Sequence, residues 1–134
     1  MLINRNRCVV LTFSVFVIFC AVGCGRESTA KYIPSSTVAR EALQTALTTW
    51  QSGTAHGTIE SSQTAINVFD LRWQGGQKLE SFQILEEITG QEQPAFGVKI
   101  KLDNKPEETN TYLVVGIDPL LIFRDIDYKK ATGQ

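Results

Sequence analysis

The apolar residues repeat at helical spacing as far as Trp50 and at strand spacing from residue 78 onward. That change of period limits the fold to a helix set against a run of hairpins. Over residues 37–52, Ala39, Leu43, Ala46, Leu47 and Trp50 recur at i, i+4, i+7, i+8 and i+11, which is one helical face. Arg40, Glu41, Gln44, Thr48 and Gln51 fill the other face. Ser35, Ser36 and Thr37 offer N-caps, although none has a glutamate three residues later to complete a capping box. Gly53 suits the position just past the helix end, and Trp50 is expected to anchor the core.

From residue 78 the period is two. Residues 78–88 form a predicted strand with Phe82 and Ile84 on one face. Residues 95–103 are the clearest case: Phe96, Val98, Ile100 and Leu102 alternate with Gly97, Lys99 and Lys101, as in an edge or half-solvated antiparallel strand. Residues 109–117 place Thr111, Leu113, Val115 and Ile117 on one side and Tyr112 and Val114 on the other. Asp118-Pro119 marks a turn, and residues 120–125 give a last strand with Leu121 and Phe123 expected inward. The connections at 89–94 and 104–108 have hairpin length. Residues 53–64 are polar and turn-like, and 65–71 mix apolar and polar residues without a clean period. Residues 70–76 read either as a short helical turn capped by Asp70 and stopped by Gly75-Gly76, or as a strand ended by the same glycines. The expected class is α+β: one N-terminal amphipathic helix on a curved antiparallel sheet of about four strands.

The start of the chain has a different character. Arg5 and Arg7 precede an apolar run over residues 8–22, and no acidic residue occurs before Glu27. A membrane span needs about 20 mainly apolar residues. This run is shorter and is closed by Gly23, Gly25 and Arg26, so it reads as a secretory signal peptide. Residues 21–24, Ala-Val-Gly-Cys, resemble the lipobox of bacterial lipoproteins, with Ala21 where leucine is usual. The resemblance implies cleavage after residue 23 and lipidation of Cys24. Gly25, rather than aspartate, follows the cysteine, which by the same resemblance favours the outer membrane, facing the periplasm. Each buried methylene contributes about 0.8 kcal/mol and one acyl chain binds only marginally, so a diacylglyceryl group would supply a lasting hold.

The expected organisation is then a signal peptide over 1–23, a lipidated cysteine and polar tether over 24–34, and one α+β domain over 35–134. Residues 1–23 carry two of the thirteen basic residues and none of the fourteen acidic ones, so the remaining 111 residues have a net charge of −3. Signs are interspersed without a basic face, which argues against nucleic acid as a partner. Two of the three cysteines, Cys8 and Cys20, leave with the signal and Cys24 would be thioether-linked, so no disulfide is expected. Glu86-Glu87 and Glu107-Glu108 are read as solvated strand ends.

The order of a helix followed by a strand meander resembles the cystatin-like and nuclear-transport-factor-2-like (NTF2-like) superfold. The Asp70…Trp73…Gly76…Leu79…Phe82 spacing is similar to small lipoproteins of planctomycete-type bacteria. Cystatin inhibitors carry a Gln-x-Val-x-Gly loop, and the nearest run here, Gln63-Thr-Ala-Ile-Asn, does not meet it. Enzymes of the NTF2-like group line a pocket with an acid, a base and often a tyrosine. By that resemblance the possible pocket residues are Asp70, His56 and Tyr112, with Trp73 as a ring that either packs under the sheet edge or faces a ligand. Each has a plainer reading: Asp70 as a helix cap, His56 as a solvent-exposed residue in a glycine-flanked loop. A zinc site would have to combine His56 with carboxylates alone, so neither a metal nor a cofactor is expected. There is no Gly-x-Ser-x-Gly, phosphate-cradling glycine loop or dinucleotide fingerprint.

Two functions follow as expectations. The first is a non-catalytic, lipid-anchored envelope domain that binds another protein or an envelope component by strand addition or apolar contact. The second is a small-molecule binder or isomerase-like enzyme, which requires a cavity of at least ~300 Å³ with converging polar groups.

Overall fold

The computed structural model describes residues 32–61 and 63–134. The predicted signal peptide, Cys24 and residues 25–31 of the tether lie outside the described residues. Among the described residues, no helix is long and apolar enough to cross a membrane.

Helix α1, Ser36–Gln51, follows from the apolar stripe and its caps. The Ser35 hydroxyl accepts the Val38 N–H at 3.2 Å, and Gly53 takes φ +85° just beyond the end. Ala39, Ala42, Leu43, Ala46, Leu47 and Trp50 are buried along one side. They pack on a sheet of β1 (Ile66–Phe69), β2 (Leu79–Glu87), β3 (Ala95–Leu102), β4 (Glu108–Val115) and β5 (Leu120–Arg124), with spatial order β1-β5-β4-β3-β2. A four-residue helix α2, Leu71–Gln74, follows β1, and α3, Asp125–Thr132, closes the chain.

The α+β class is as expected, with corrections to the sheet. It has five strands rather than four, and β1 lies parallel to β5, so the sheet is mixed. Segment 65–76 holds both a strand and a helical turn. Four residues of β1, only two of them buried, are too few to display a period. Of the two alternatives for β3, the edge does not hold: it is interior, antiparallel to both β2 and β4, with Lys99 exposed on its polar side.

In β5 the inward residues are Leu120 and Ile122, not Leu121 and Phe123. Register sets this, because Ile122 sits beside Val114 and Val68, both of which belong to the core under α1. Alternation alone could not decide it. Both faces of β5 are apolar, since Phe123 on the opposite face stacks with Phe69 at 4.7 Å and meets Tyr128 of α3 edge-on at 5.2 Å.

Helix α3 was not expected. It places Asp125 and Asp127 in its first turn and Lys129 and Lys130 in its last, the arrangement favoured by the helix dipole. The turn from β4 to β5 needs a glycine at 116. Its φ is +82°, and a Cβ there would lie 2.9 Å from the Pro119 carbonyl oxygen. The Asp118-Pro119 bond in this turn is cis.

Both outer strands have main-chain partners from within the chain. On β2, Arg40 donates from Nη1 to the Leu85 carbonyl at 2.9 Å and from Nη2 to the Ile84 carbonyl at 3.1 Å. Gln51 donates to the Glu80 carbonyl at 2.9 Å. On β1, Ile59 and Ile66 exchange backbone hydrogen bonds of 2.9 and 2.8 Å, and His56 Nε2 bonds the Val68 carbonyl. A strand joining either edge would displace these groups.

Candidate functional site

The four residues singled out from the sequence fall into two groups that share a wall. Asp70 caps α2, and its Oδ1 accepts the Arg72 N–H at 2.9 Å. The cap is also the centre of a buried network. Arg72 donates from Nε to Asp70 Oδ1 at 3.2 Å and from Nη2 to Oδ2 at 3.0 Å. The Tyr112 hydroxyl donates to Oδ2 at 2.6 Å and accepts from Arg72 Nη2 at 3.0 Å. Arg72 Nη1 also pairs with Glu108, so this glutamate is not simply a solvated strand end. Asp70 and Tyr112 are both 0 % exposed. Every polar atom of the Asp70 carboxylate therefore has a partner, and solvent does not reach it.

Titration follows from these contacts. Burial alone would raise the Asp70 carboxyl; the hydrogen bonds and charge of Arg72, with the Tyr112 hydroxyl, reverse this and hold it below the ordinary carboxylate range. Burial pushes the Tyr112 phenol well above its ordinary value, and the Asp70 charge pushes it further. The signs are opposite at the two ends of the pH scale. The folded Asp70 value is depressed, so its contribution is fully present above the unfolded value of about 4 and is lost as pH falls through the folded value. The folded Tyr112 value is raised, so its contribution is present below about pH 10 and is lost as pH rises beyond it. Urea titrations at a series of pH values should show stability falling below pH 4, and Asp70→Asn should flatten that slope.

His56 and Trp73 belong to the second group. Trp73 stacks on Trp50 with centroids 5.5 Å apart and planes 11° from parallel, and His56 meets Trp73 edge-on at 5.5 Å. A carbonyl only accepts, so His56 Nε2 carries the proton that it donates to Val68. Both indole N–H groups are satisfied, Trp50 by the Gln77 carbonyl at 2.7 Å and Trp73 by the Thr54 carbonyl at 2.9 Å. With Thr54, Gln77 and Lys78, these three rings line a half-open cleft of about 360 Å³. The Arg72 guanidinium lies 6.0 Å from the Trp50 ring, so Trp50 touches both groups. Asp70 and Tyr112 do not line the cleft.

Sequence reasoning passed over Arg72 and Glu108. An aspartate followed two residues later by arginine is a signal of sorts, but nothing in the chain order ties that pair to Tyr112, forty residues on.

A second recess lies on the opposite face of the sheet, at the corner of α2 and α3. Phe69, Leu71, Phe123 and Ala131 line about 360 Å³ of mainly apolar groove, with Asp127 and Lys130 on it. Phe69 and Leu71 are 39 % and 52 % exposed, although the residue between them is fully buried. The Asp70 network thus holds two apolar side chains outward. The corner is fixed from α3 as well: the Leu71 N–H donates to Asp127 Oδ2 at 3.3 Å, and Arg124 grips the same carboxylate with two bonds of 2.8 Å. Among the described residues, no group of three or more His, Cys, Asp and Glu could hold a metal ion.

The chain matches no family model, no curated protein and no solved structure.

Proposed function

We propose that this protein is a lipid-anchored accessory domain of the bacterial envelope, held through Cys24, that binds an envelope component at the α2–α3 corner. The single observation carrying the binding site is the pairing of Phe69 and Leu71, held outward by buried Asp70 into an open apolar groove. Apolar contact is favoured over strand addition because intrachain donors and acceptors already occupy both sheet edges. A role for Asp70 and Tyr112 in holding the fold, rather than in catalysis, is favoured by their mutual hydrogen bonds and complete burial. The finer fold reading is a cystatin-like or NTF2-like domain, supported by α1 packed across one face of a strand meander.

Two measurements test this. Mass spectrometry of the protein from membranes should show loss of residues 1–23 and added lipid mass, and Cys24→Ala should retain Met1 without lipid. Identical processing of the two would remove the anchor reading. In-cell crosslinking of the anchored protein should capture a reproducible component that Leu71→Asp loses while remaining folded; capture indifferent to Leu71 would remove the proposed site.

The cleft beside His56 favours a second reading, a small-molecule pocket, because its volume reaches the lower range of ligand sites. A ligand there would change the emission of the stacked Trp50 and Trp73, whereas a ligand of the α2–α3 corner would leave it nearly unchanged.

A further inference from the structure

Resting on the binding site just proposed, we infer that the α2–α3 groove takes a small amphipathic carboxylate, a medium-chain acyl acid whose chain lies on Phe69, Leu71 and Phe123 while its head meets Lys130. The apolar half of the match is the groove itself, floored by the Phe69–Phe123 stack and walled by Leu71 and Ala131. The charged half follows from bookkeeping of the two ionic groups on the groove. Asp127 is consumed by the two bonds from Arg124 and by the Leu71 N–H. Lys129, its neighbour in sequence, is paired with Asp125 at 3.0 Å. Lys130 has no ion pair among the described residues, so the one uncompensated charge on the groove is positive. An occupant with an apolar body and a single negative end complements both halves.

The groove is also built before any ligand arrives. Asp127 joins α3 to the first residue of α2, and Asp70 fixes the turn between Phe69 and Leu71, so little ordering remains on binding. A volume of about 360 Å³ is at the small end for ligand sites, which suits one short chain rather than a phospholipid.

The test uses the full chain in phosphatidylcholine vesicles and a diazirine-bearing medium-chain fatty acid, with labelled residues mapped by mass spectrometry. Labelling is expected at residues 69–74 and 123–131, saturable and displaced by decanoate. Decanamide, equally apolar but uncharged, should displace it about fivefold less well, the ratio for an exposed ion pair of about 1 kcal/mol. Lys130→Glu should abolish decanoate's advantage, and Leu71→Asp should abolish labelling of both segments while the near-ultraviolet signal of the Trp50–Trp73 stack persists. Equal displacement by acid and amide, labelling insensitive to these two changes, or labelling confined to residues 8–22 would each overturn the inference. If any of these occurs while Leu71→Asp still loses the in-cell crosslink, the acid is wrong and the binding site stands; if that crosslink is also indifferent to Leu71, both fail.

Discussion

Asp70→Ala is expected to lower the stability of the domain by about 3–5 kcal/mol, the cost of removing one partner from a buried ion pair. The loss has three parts that cannot be separated by inspection. The Arg72 guanidinium keeps only Glu108 and the Tyr112 oxygen as partners in a buried site, the Tyr112 hydroxyl loses its acceptor, and α2 loses its cap. Small domains are stable by about 5–15 kcal/mol, so the change removes a large share of the whole. In urea, with a slope of about 1–3 kcal/mol/M, the midpoint should fall by more than 1 M. Asp70→Asn removes the charge and keeps one of the two acceptor oxygens. With that oxygen on the cap N–H, its amide NH2 faces the Tyr112 hydroxyl and Arg72 Nη2 in place of Oδ2, so it should lie between wild type and alanine. A midpoint shift below about 0.3 M for Asp70→Ala would mean that water reaches the site and satisfies Arg72.

The second large effect is at Trp50, where alanine should cost about 3–5 kcal/mol through lost burial and the cavity left behind. Trp50 is buried at the last full turn of α1, stacked on Trp73 and near the Arg72 guanidinium. Its indole N–H also ties the helix end to the Gln77 carbonyl. Removal therefore loosens α1, α2 and the approach to β2 together, and the effect should not add to that of Trp73→Ala. A double-mutant cycle measured by chemical denaturation should return a coupling of about 0.5–1.5 kcal/mol for the stacked pair. Additivity within about 0.3 kcal/mol would show the stack to be incidental.

Helix α1 and strand β3 were legible because polar residues recur opposite the core, as Lys99 and Lys101 do against Val98, Ile100 and Leu102, and that recurrence imprints a period on the residues. In β4 the alternation shows in the sequence although Tyr112, Leu113 and Val114 are all buried. The predicted bounds of α1 are one residue late at each end; the Ser35 cap accounts for the start, and Ser52 is the C-cap rather than the last helical residue. Strand β1 and the facing of β5 were not legible for the opposite reason. A four-residue strand is too short for a period, and in β5 both Ile122 and Phe123 have apolar company on their own faces. Helix α3 carried its signal in charge order rather than in periodicity, with acids ahead of lysines and Gly133 after them.

The candidate sites divide in the same way. Asp70 as a helix cap is a local property, since the aspartate and the N–H groups it serves are neighbours in the chain. Its burial against Tyr112, the stacking of Trp73 on Trp50 and the outward turn of Phe69 and Leu71 are properties of distant contacts. Local order and patterning were set by the sequence itself, because backbone caps and alternating polarity act over a few residues. Which charges became buried partners, and which apolar side chains stayed in water, only the tertiary structure decided. Those outcomes depend on strand register and on the packing of α2 and α3 across the chain, where a shift of one residue exchanges the two faces of a strand.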